Sequence, residues 1–245
     1  MNMKMRYSRL NNREPLRRFC ERIARISQLE AMQAASLQYS VLYAVNGLMK
    51  FGDSVTGGHI FRTNLYMRQL LRQMTEDGVY SRETQSWDMN CLLSSVYLHD
   101  IGKIAINGAI LYKPGSLTYG EFEIMKRHVE VGVRVIGRIM DKTDENEFLR
   151  HALLIAGSHH EKWDGSGYPL GLKGEEIPLE GRLMAIADVY DALVSWRTYK
   201  TPYETDIARR FIEDGAGTHF DPLLTGVFSR AADKFAGIAR EYIAV

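Results

Sequence analysis

Apolar residues recur at the spacing of an α-helix along most of this chain, and no run of alternating apolar and polar residues is long enough to indicate a strand. A helix buries residues three and four positions apart on one face, whereas a half-buried strand needs a period of two. The clearest helical pattern lies near the C-terminus, at Leu224, Val227, Phe228, Ala231, Phe235 and Ile238. The sequence therefore predicts an all-α fold.

Capping and proline signals place several helix starts. Thr118 is followed three residues later by Glu121, and this pair forms a capping box that satisfies free backbone amides at a helix start. Pro178 is expected in the first turn of the helix that carries residues 183–193, and Asp221-Pro222 opens the last helix. Further helices are predicted over residues 29–50, from about His59, from about Asp88 to Gly102, and from His151 to His160.

The helical pattern is interrupted between Trp163 and Pro178. Four glycines in this stretch rule out a stable helix: Gly165, Gly167, Gly171 and Gly174. Loops of this length inside a compact domain are uncommon unless they bind something or are disordered, and the aromatic and proline residues here favour binding. We predict a long functional loop.

Composition excludes several classes of protein. Lysine and arginine number 31 against 30 acidic residues, so the net charge of +1 gives no general attraction to polymeric nucleic acid or to an anionic membrane. The cysteines, Cys20 and Cys91, are too far apart in sequence for a thiolate zinc motif and do not indicate a disulfide framework. No stretch approaches the ~18 apolar residues of a membrane span, and no export signal is evident. We therefore expect a cytoplasmic protein.

The histidines point to a metal site. The chain has seven: His59, His99, His128, His151, His159, His160 and His219. His99 is followed directly by Asp100, and adjacent residues on a helix project about 100° apart, so the carboxylate can bridge two ions while the imidazole binds one. Nitrogen and oxygen ligands without thiolate favour iron, manganese or another first-row divalent ion over a structural zinc finger. A lone histidine such as His128 is more often a core or surface residue, so spacing alone does not establish the site.

Three sequence runs resemble the signatures of the HD-GYP family: HDIGK at 99–103, HHEKWDGSGYP at 159–169 and ADVYDAL at 187–193. The resemblance extends from about Asp53 to Pro222 and includes TGGHIFRT, KPGSLT, WRTYK and GTHFDP. It implies an HD-superfamily helical bundle with metals beneath a loop that bears Gly-Tyr-Pro, which we call the GYP loop (residues 163–178). We expect this domain over 53–245. Residues 1–52 would form an arm and helix that pack on the bundle or make a homodimer.

The resemblance also implies a set of metal ligands. His59, His99, Asp100 and Asp188 would hold one ion, and Asp100, His128, His159 and His160 the other, with Asp100 as the bridge. Family members with a third metal have a glutamate where this chain has Val55. Because valine offers no lone pair, we expect two divalent ions, iron or manganese, and no third.

The implied activity is hydrolysis of cyclic di-GMP, mainly to linear pGpG, by a hydroxide that bridges the metals. Asp100 and Lys103 would be catalytic, since the Lys103 ammonium can offset phosphate charge or protonate the leaving group. The implied substrate contacts are Lys103, Gly167, Tyr168, Arg197 and Lys200. Tyr168 could stack on guanine or bind a phosphate, and Gly167 would let the backbone approach closely.

Some residues admit two interpretations. Asp53 and Asp191 could orient ligating imidazoles, or each could be a helix cap or an exposed carboxylate. His151 and His219 are expected to be structural. Asn107-Gly108 stands where Pro-Asp is usual in the family, which alters a turn but removes no ligand.

Two other functions stay open. The protein could be a non-catalytic cyclic di-GMP sensor or docking module whose GYP loop contacts a partner such as a diguanylate cyclase. It could also be an HD-type nucleotide phosphohydrolase, which would release inorganic phosphate rather than pGpG.

Overall fold

The structure is a computed structural model that describes Arg17, Arg25 and residues 56–143, 146–196 and 201–243. Within these ranges the chain forms α-helices and short 3-10 turns, and the only β-type pairing there is an isolated bridge between Ala216 and Phe220. The all-α prediction is confirmed. The arm and helix predicted within residues 1–52 lie outside the described residues.

Long helices of the described chain alternate with short ones. Their bounds are α1 Thr56–Glu76, α2 Ser81–Thr84, α3 Met89–Ser95, α4 Gly108–Leu111, α5 Tyr119–Met140, α6 Glu147–Ser158, α7 Leu179–Val194, α8 Thr205–Asp214 and α9 Pro222–Ile243. The 3-10 turns are Val96–Leu98, Ile101–Ala105 and Gly174–Glu176.

Two of the predicted helix starts have the expected caps. The Thr118 hydroxyl accepts a hydrogen bond from the Glu121 N–H, and the Glu121 carboxylate accepts one from the Thr118 N–H at 2.7 Å. At the start of α9, one Asp221 carboxylate oxygen accepts hydrogen bonds from the N–H groups of Leu223 and Leu224. Local sequence therefore fixes where α5 and α9 begin.

Several predicted boundaries are wrong, and the helix expected from His151 begins earlier, at Glu147. The helix expected up to Gly102 ends at Ser95, and 3-10 turns follow it. The helix expected to hold His159 and His160 ends at Ser158, and Pro178 is the N-cap of α7 rather than part of its first turn. The HD and HH pairs therefore both lie just beyond helices, where packing against neighbouring helices decides the backbone path instead of local helix propensity.

Helix α8 has no counterpart in the sequence prediction. Only Ala208 and Ile212 of this helix are buried, so it contributes few residues to the core. Its apolar residues do recur at helical spacing, so the signal was available in the sequence: Ile207, Ala208, Phe211 and Ile212.

Helix α7 lies in the middle of the core. Most of its residues are buried, and its Tyr190 packs with Tyr66 of α1 and with Phe228 and Phe235 of α9, at ring-centroid distances of 5.1–5.7 Å. A helix that is apolar on nearly all sides is surrounded by other elements. Helix α7 is thus held rigidly, and it carries Asp188 and Asp191. No helix among the described residues has the length and apolar character needed to cross a membrane.

Candidate metal centre

Side chains that are distant in sequence meet at one centre. Ligand atoms of Asp100, His128, His159 and His160 lie within 4.8 Å of one another, and so do ligand atoms of His59, His99 and Asp100. Asp100 belongs to both groups, which is the position of a bridging ligand. Asp188 adjoins the second group, because its Oδ1 is 3.4 Å from Nε2 of His59.

Different elements supply these side chains. His59 lies on α1, His128 on α5 and Asp188 on α7, while His99 and Asp100 form the turn between two 3-10 segments. His159 and His160 follow directly after α6. The centre therefore exists only when these elements are packed together.

Backbone carbonyls orient three of the imidazoles. The Nδ1 atoms lie 2.8 Å from Val96 O in His99, 2.8 Å from Met125 O in His128 and 3.0 Å from Ile155 O in His159. A carbonyl accepts only, so each Nδ1 carries the proton and donates it. The lone pair of each ring is then on Nε2, which is the usual arrangement for a metal-ligating histidine.

Three atoms at the centre are buried without a hydrogen-bond partner: Asp100 Oδ1, His128 Nε2 and His159 Nε2. Leaving a buried polar atom unpaired costs about 1–3 kcal/mol, so natural proteins rarely do so without a reason. All three belong to one of the two ligand groups. A donor set of imidazole nitrogens and carboxylate oxygens fits first-row divalent ions, and coordination would satisfy all three atoms.

The charges of these groups favour metal binding. Desolvation lowers the pKa of His159 to about 4, and it also lowers the pKa of His128 and of His160. Burial raises the pKa of the Asp100 carboxyl, but the positive charges of Lys103 and His99 outweigh burial and keep that pKa well below its usual value. Neutral imidazoles and an ionised carboxylate are the protonation states that coordinate metals. His99 differs from the other three, because burial lowers its pKa but the Asp100 carboxylate outweighs burial and raises it.

Asp191 orients His59. Its carboxylate accepts a hydrogen bond from His59 Nδ1 at 2.8 Å. It also accepts two hydrogen bonds from the Arg62 guanidinium, at 2.7 and 3.0 Å. Arg62 also donates to the Ser195 hydroxyl at 2.9 Å. Of the two interpretations open for Asp191, the structure supports the orienting role. Arg62 was not identified from the sequence, although its position one helical turn after His59 was an available signal.

Lys103 reaches the bridging carboxylate. Its ammonium donates to Asp100 Oδ2 at 2.5 Å, from within the 3-10 turn that follows the His99-Asp100 pair. The Lys103 side chain is about one third exposed, at 32%. It therefore places a positive charge at the edge of the centre, open to a ligand.

Gly102 is a second residue that sequence reasoning missed. A Cβ atom on Gly102 would lie 1.8 Å from the backbone oxygen of His128 and 2.5 Å from the nitrogen of Gly132. Only glycine lets the turn that carries Asp100 approach the backbone of α5 this closely. The glycine of HDIGK was the available signal.

Tyr168 of the GYP loop lies against His160 at the centre. Its ring lies 4.8 Å from the ring of His160, and its N–H donates to the His160 carbonyl at 3.2 Å. Burial raises the pKa of Tyr168, and the charges of Asp188 and Asp100 raise it further. The hydroxyl therefore stays protonated at neutral pH and can donate a hydrogen bond.

The GYP loop is held by its own chain. Glu161, which is buried, accepts hydrogen bonds from the Leu170 N–H at 2.7 Å and the Leu172 N–H at 3.1 Å, one on each carboxylate oxygen. A Cβ on Gly167 would lie 2.3 Å from the nitrogen of Lys162, so the close approach at Gly167 is to the backbone just before the loop. Glu161 was also missed from the sequence.

The other singled-out residues lie apart from the ligand groups. His151 is buried, with Nδ1 2.8 Å from a Glu180 oxygen, and His219 stacks on Phe220 at 4.2 Å. Asn107 caps α4 by accepting a hydrogen bond from the Ala109 N–H. Four predicted positions lie outside the described residues: Asp53, Val55, Arg197 and Lys200.

One family model and several known proteins are similar in sequence to this chain. A family model described as the HD domain matches residues 64–224. The chain is 40% identical over 219 residues to a cyclic di-GMP phosphodiesterase of Vibrio cholerae, covering 89% of this chain and 44% of the relative. It is 40% identical over 198 residues to a 3'3'-cGAMP-specific phosphodiesterase of the same organism, covering 81% of this chain and 35% of that relative.

A solved structure supports the fold. A cyclic GMP-AMP-specific phosphodiesterase from V. cholerae matches with a TM-score of 0.53 at 16% identity, over 84% of this chain and 53% of that one. The chain spans less than half the length of the two relatives above.

Proposed function

The chain belongs to the HD domain family and, within it, to the HD-GYP group, and from that membership we propose that it is a metal-dependent phosphodiesterase that hydrolyses cyclic di-GMP to linear pGpG. The observation that carries the proposal is the convergence of Asp100 Oδ1, His128 Nε2 and His159 Nε2, buried and without hydrogen-bond partners, inside a larger set of possible ligands. Such a group of unpaired polar atoms is typical of a metal site and not of a hydrophobic core.

Each residue of the centre has a role in this proposal. His59, His99 and Asp188 would hold one ion, His128, His159 and His160 the other, and Asp100 both. Two bound divalent ions would neutralise charge on the phosphoryl oxygens and lower the pKa of the attacking water. Lys103 would bind the phosphate or protonate the departing ribose oxygen. Tyr168 would contact a base or a phosphate above the centre.

The expectation of two ions and of a linear product depends on one residue of the sequence. Val55 stands where related proteins with a third metal have a glutamate, and it offers no ligand atom. With two ions, we expect one phosphodiester of the ring to be opened and pGpG to be released rather than GMP.

The test is anaerobic purification with metal counting, followed by incubation with cyclic di-GMP and chromatography of the products. About two ions of iron or manganese per chain and accumulation of pGpG are expected. The variant Asp100→Ala should stay folded by circular dichroism and lose both turnover and metal. Tight binding of cyclic di-GMP without any turnover would show a sensor instead, and release of inorganic phosphate from nucleotides would show a phosphohydrolase.

A second candidate substrate is 3'3'-cGAMP, because the chain is as similar to a 3'3'-cGAMP-specific phosphodiesterase as to a cyclic di-GMP phosphodiesterase, at 40% identity to each. Both substrates have the same ring of two phosphodiesters and differ in one base. Comparing kcat/KM for the two in the same preparation would decide between them.

A further inference from the structure

A lysine and two aromatic rings form a corner at the rim of the metal centre. The Lys126 ammonium lies 5.5 Å from the ring centroid of Phe122 and 5.6 Å from that of Tyr168. The two rings are nearly perpendicular, at 86°, with centroids 6.1 Å apart. Phe122 is 43% exposed, so the corner faces solvent. We call Phe122, Lys126 and Tyr168 the aromatic corner.

The aromatic corner adjoins the ligands directly. The Tyr168 ring lies 4.8 Å from the ring of His160, and the Lys126 ammonium lies 5.6 Å from the centroid of the same Tyr168 ring. A molecule with one phosphate at the metal centre would therefore have its neighbouring groups within reach of Lys126.

The Lys126 ammonium is available to an anion. It pairs with Glu123 at 2.6 Å, but the two side chains are 28% and 43% exposed, and ion pairs of this kind are held weakly. The aromatic faces displace water from one side of the ammonium, which strengthens its attraction to a charged ligand. An incoming phosphate can therefore replace Glu123 as the partner of Lys126.

We propose that the aromatic corner binds the second phosphodiester of the cyclic dinucleotide, the one that is not cleaved. A cyclic dinucleotide carries two anionic phosphates, and only one of them can lie at the metals during hydrolysis. Lys126 supplies the cation for the other, and Phe122 and Tyr168 hold the lysine in place. This inference rests on the proposed hydrolysis of a cyclic dinucleotide and adds a substrate contact on α5 to that proposal.

The experiment compares two substrates on the metal-loaded full chain. Lys126→Ala should raise KM for cyclic di-GMP about tenfold and change kcat less than about twofold, since a charge-assisted hydrogen bond is lost from binding. With bis(p-nitrophenyl) phosphate, which has a single phosphate, kcat/KM should change less than about twofold. Lys126→Gln should behave like Lys126→Ala, and Lys126→Arg should retain most of the affinity.

Two further variants sharpen the comparison. Glu123→Gln should lower KM for cyclic di-GMP, because it frees Lys126 from its ion pair. Arg127→Ala removes a positive charge from the next, exposed residue of the same helix and should leave KM unchanged. A raised KM in Lys126→Ala beside an unchanged KM in Arg127→Ala separates a direct phosphate contact from a general effect of charge.

The outcomes distinguish the subsite from the activity. Wild-type hydrolysis of cyclic di-GMP with an unchanged KM in Lys126→Ala and Lys126→Gln would overturn the subsite alone. An equal loss on both substrates would also overturn it, because Lys126 would then act on the centre itself. Wild-type protein that cleaves bis(p-nitrophenyl) phosphate but no cyclic dinucleotide would overturn the proposed function, and the subsite with it.

Discussion

Gly102 shows how much can depend on a missing side chain. The backbone of the turn that carries Asp100 passes so close to α5 that a Cβ on Gly102 would lie 1.8 Å from the His128 backbone oxygen. The His128 oxygen and the Gly132 nitrogen, which this Cβ would contact, are both backbone atoms. Neither can move aside without shifting α5. The separation between Asp100 and His128, and with it the proposed bridging role of Asp100, therefore depends on glycine at this position.

We expect Gly102→Ala to destabilise the protein by about 3 kcal/mol or more, because overpacking against backbone cannot be relieved by a rotamer change. Metal content should fall as well, since Asp100 would be displaced. Gly137→Ala is the matched control: Gly137 lies on α5, and an added Cβ would meet nothing within 4 Å. That variant should gain up to about 1 kcal/mol from helix propensity. Urea unfolding measures both, and equal stabilities would contradict the prediction.

We expect Asp191 to act through His59 rather than on a metal. Asp191→Asn keeps the size of the side chain but removes the charge that holds His59 Nδ1 and Arg62. Loss of such an orienting carboxylate typically weakens metal binding by about 10- to 100-fold. We expect dialysed Asp191→Asn to retain about one ion per chain, the one on the side of His128, and Asp206→Asn, at an exposed carboxylate on α8, to retain both. Full metal content in Asp191→Asn would refute the orienting role.

The GYP loop depends on a single buried carboxylate. Glu161 uses both oxygens, one for Leu170 and one for Leu172, whereas glutamine has only one acceptor oxygen. Glu161→Gln therefore leaves one loop N–H without a partner, at a cost of about 1–3 kcal/mol. Amide hydrogen exchange at Leu170 and Leu172 should accelerate in this variant while metal content is kept. The exposed Glu175→Gln, in the same loop, should exchange like wild type.

The start of α5 should show a pH-dependent stability. A hydrogen bond from Lys113, with further ones from Thr118, lowers the pKa of Glu121 from 4.5 to about 2. A carboxyl with a depressed pKa in the folded state stabilises that state above its unfolded pKa and loses the contribution as pH falls.

Glu121→Gln should therefore be less stable than wild type at neutral pH. The difference should shrink as pH falls from about 5 toward about 2, where wild type becomes protonated too. Urea titrations at a series of pH values measure it. Glu130→Gln, an exposed position on the same helix, should show no such trend. A difference that is independent of pH would show that Glu121 acts through packing instead of charge.

The starts of α5 and α9 were predictable in this chain, whereas the ends of α3 and α6 were not. Thr118 and Asp221 satisfy amides within three or four residues of themselves, so short-range sequence contains the whole signal. The ends of α3 and α6 were placed too late, because the 3-10 turns after Ser95 and the turn after Ser158 depend on contacts with distant helices. Sequence alone does not contain those contacts.

The same contrast applies to the candidate site. Every predicted ligand within the described chain lies at the centre, because the family resemblance carries the identity of each ligand position. The supporting residues Arg62, Gly102 and Glu161 were missed. Their roles come from three-dimensional contacts with Asp191, α5 and the GYP loop, and none of these is visible as a periodic pattern.

The metal centre should contribute to the stability of the entire fold. It joins α1, α5 and α7 with the segments that follow α3 and α6, so bound ions would crosslink elements that are distant in sequence. Without ions, three buried ligand atoms have no partner. A ligand that binds only the folded state stabilises it by about 2.7 kcal/mol at 100 times its dissociation constant.

We therefore expect Mn²⁺ in such excess to raise the Tm of chelator-treated protein by roughly 5–10 °C, since about 1 kcal/mol corresponds to 2–4 °C for a chain of this size. Asp100→Ala removes the ligand shared by both groups and should show less than half of this shift. Asp206→Asn should show all of it. An equal rise in wild type and Asp100→Ala would mean that Mn²⁺ acts elsewhere on the protein. The proposed convergence of ligands would then not explain its stability.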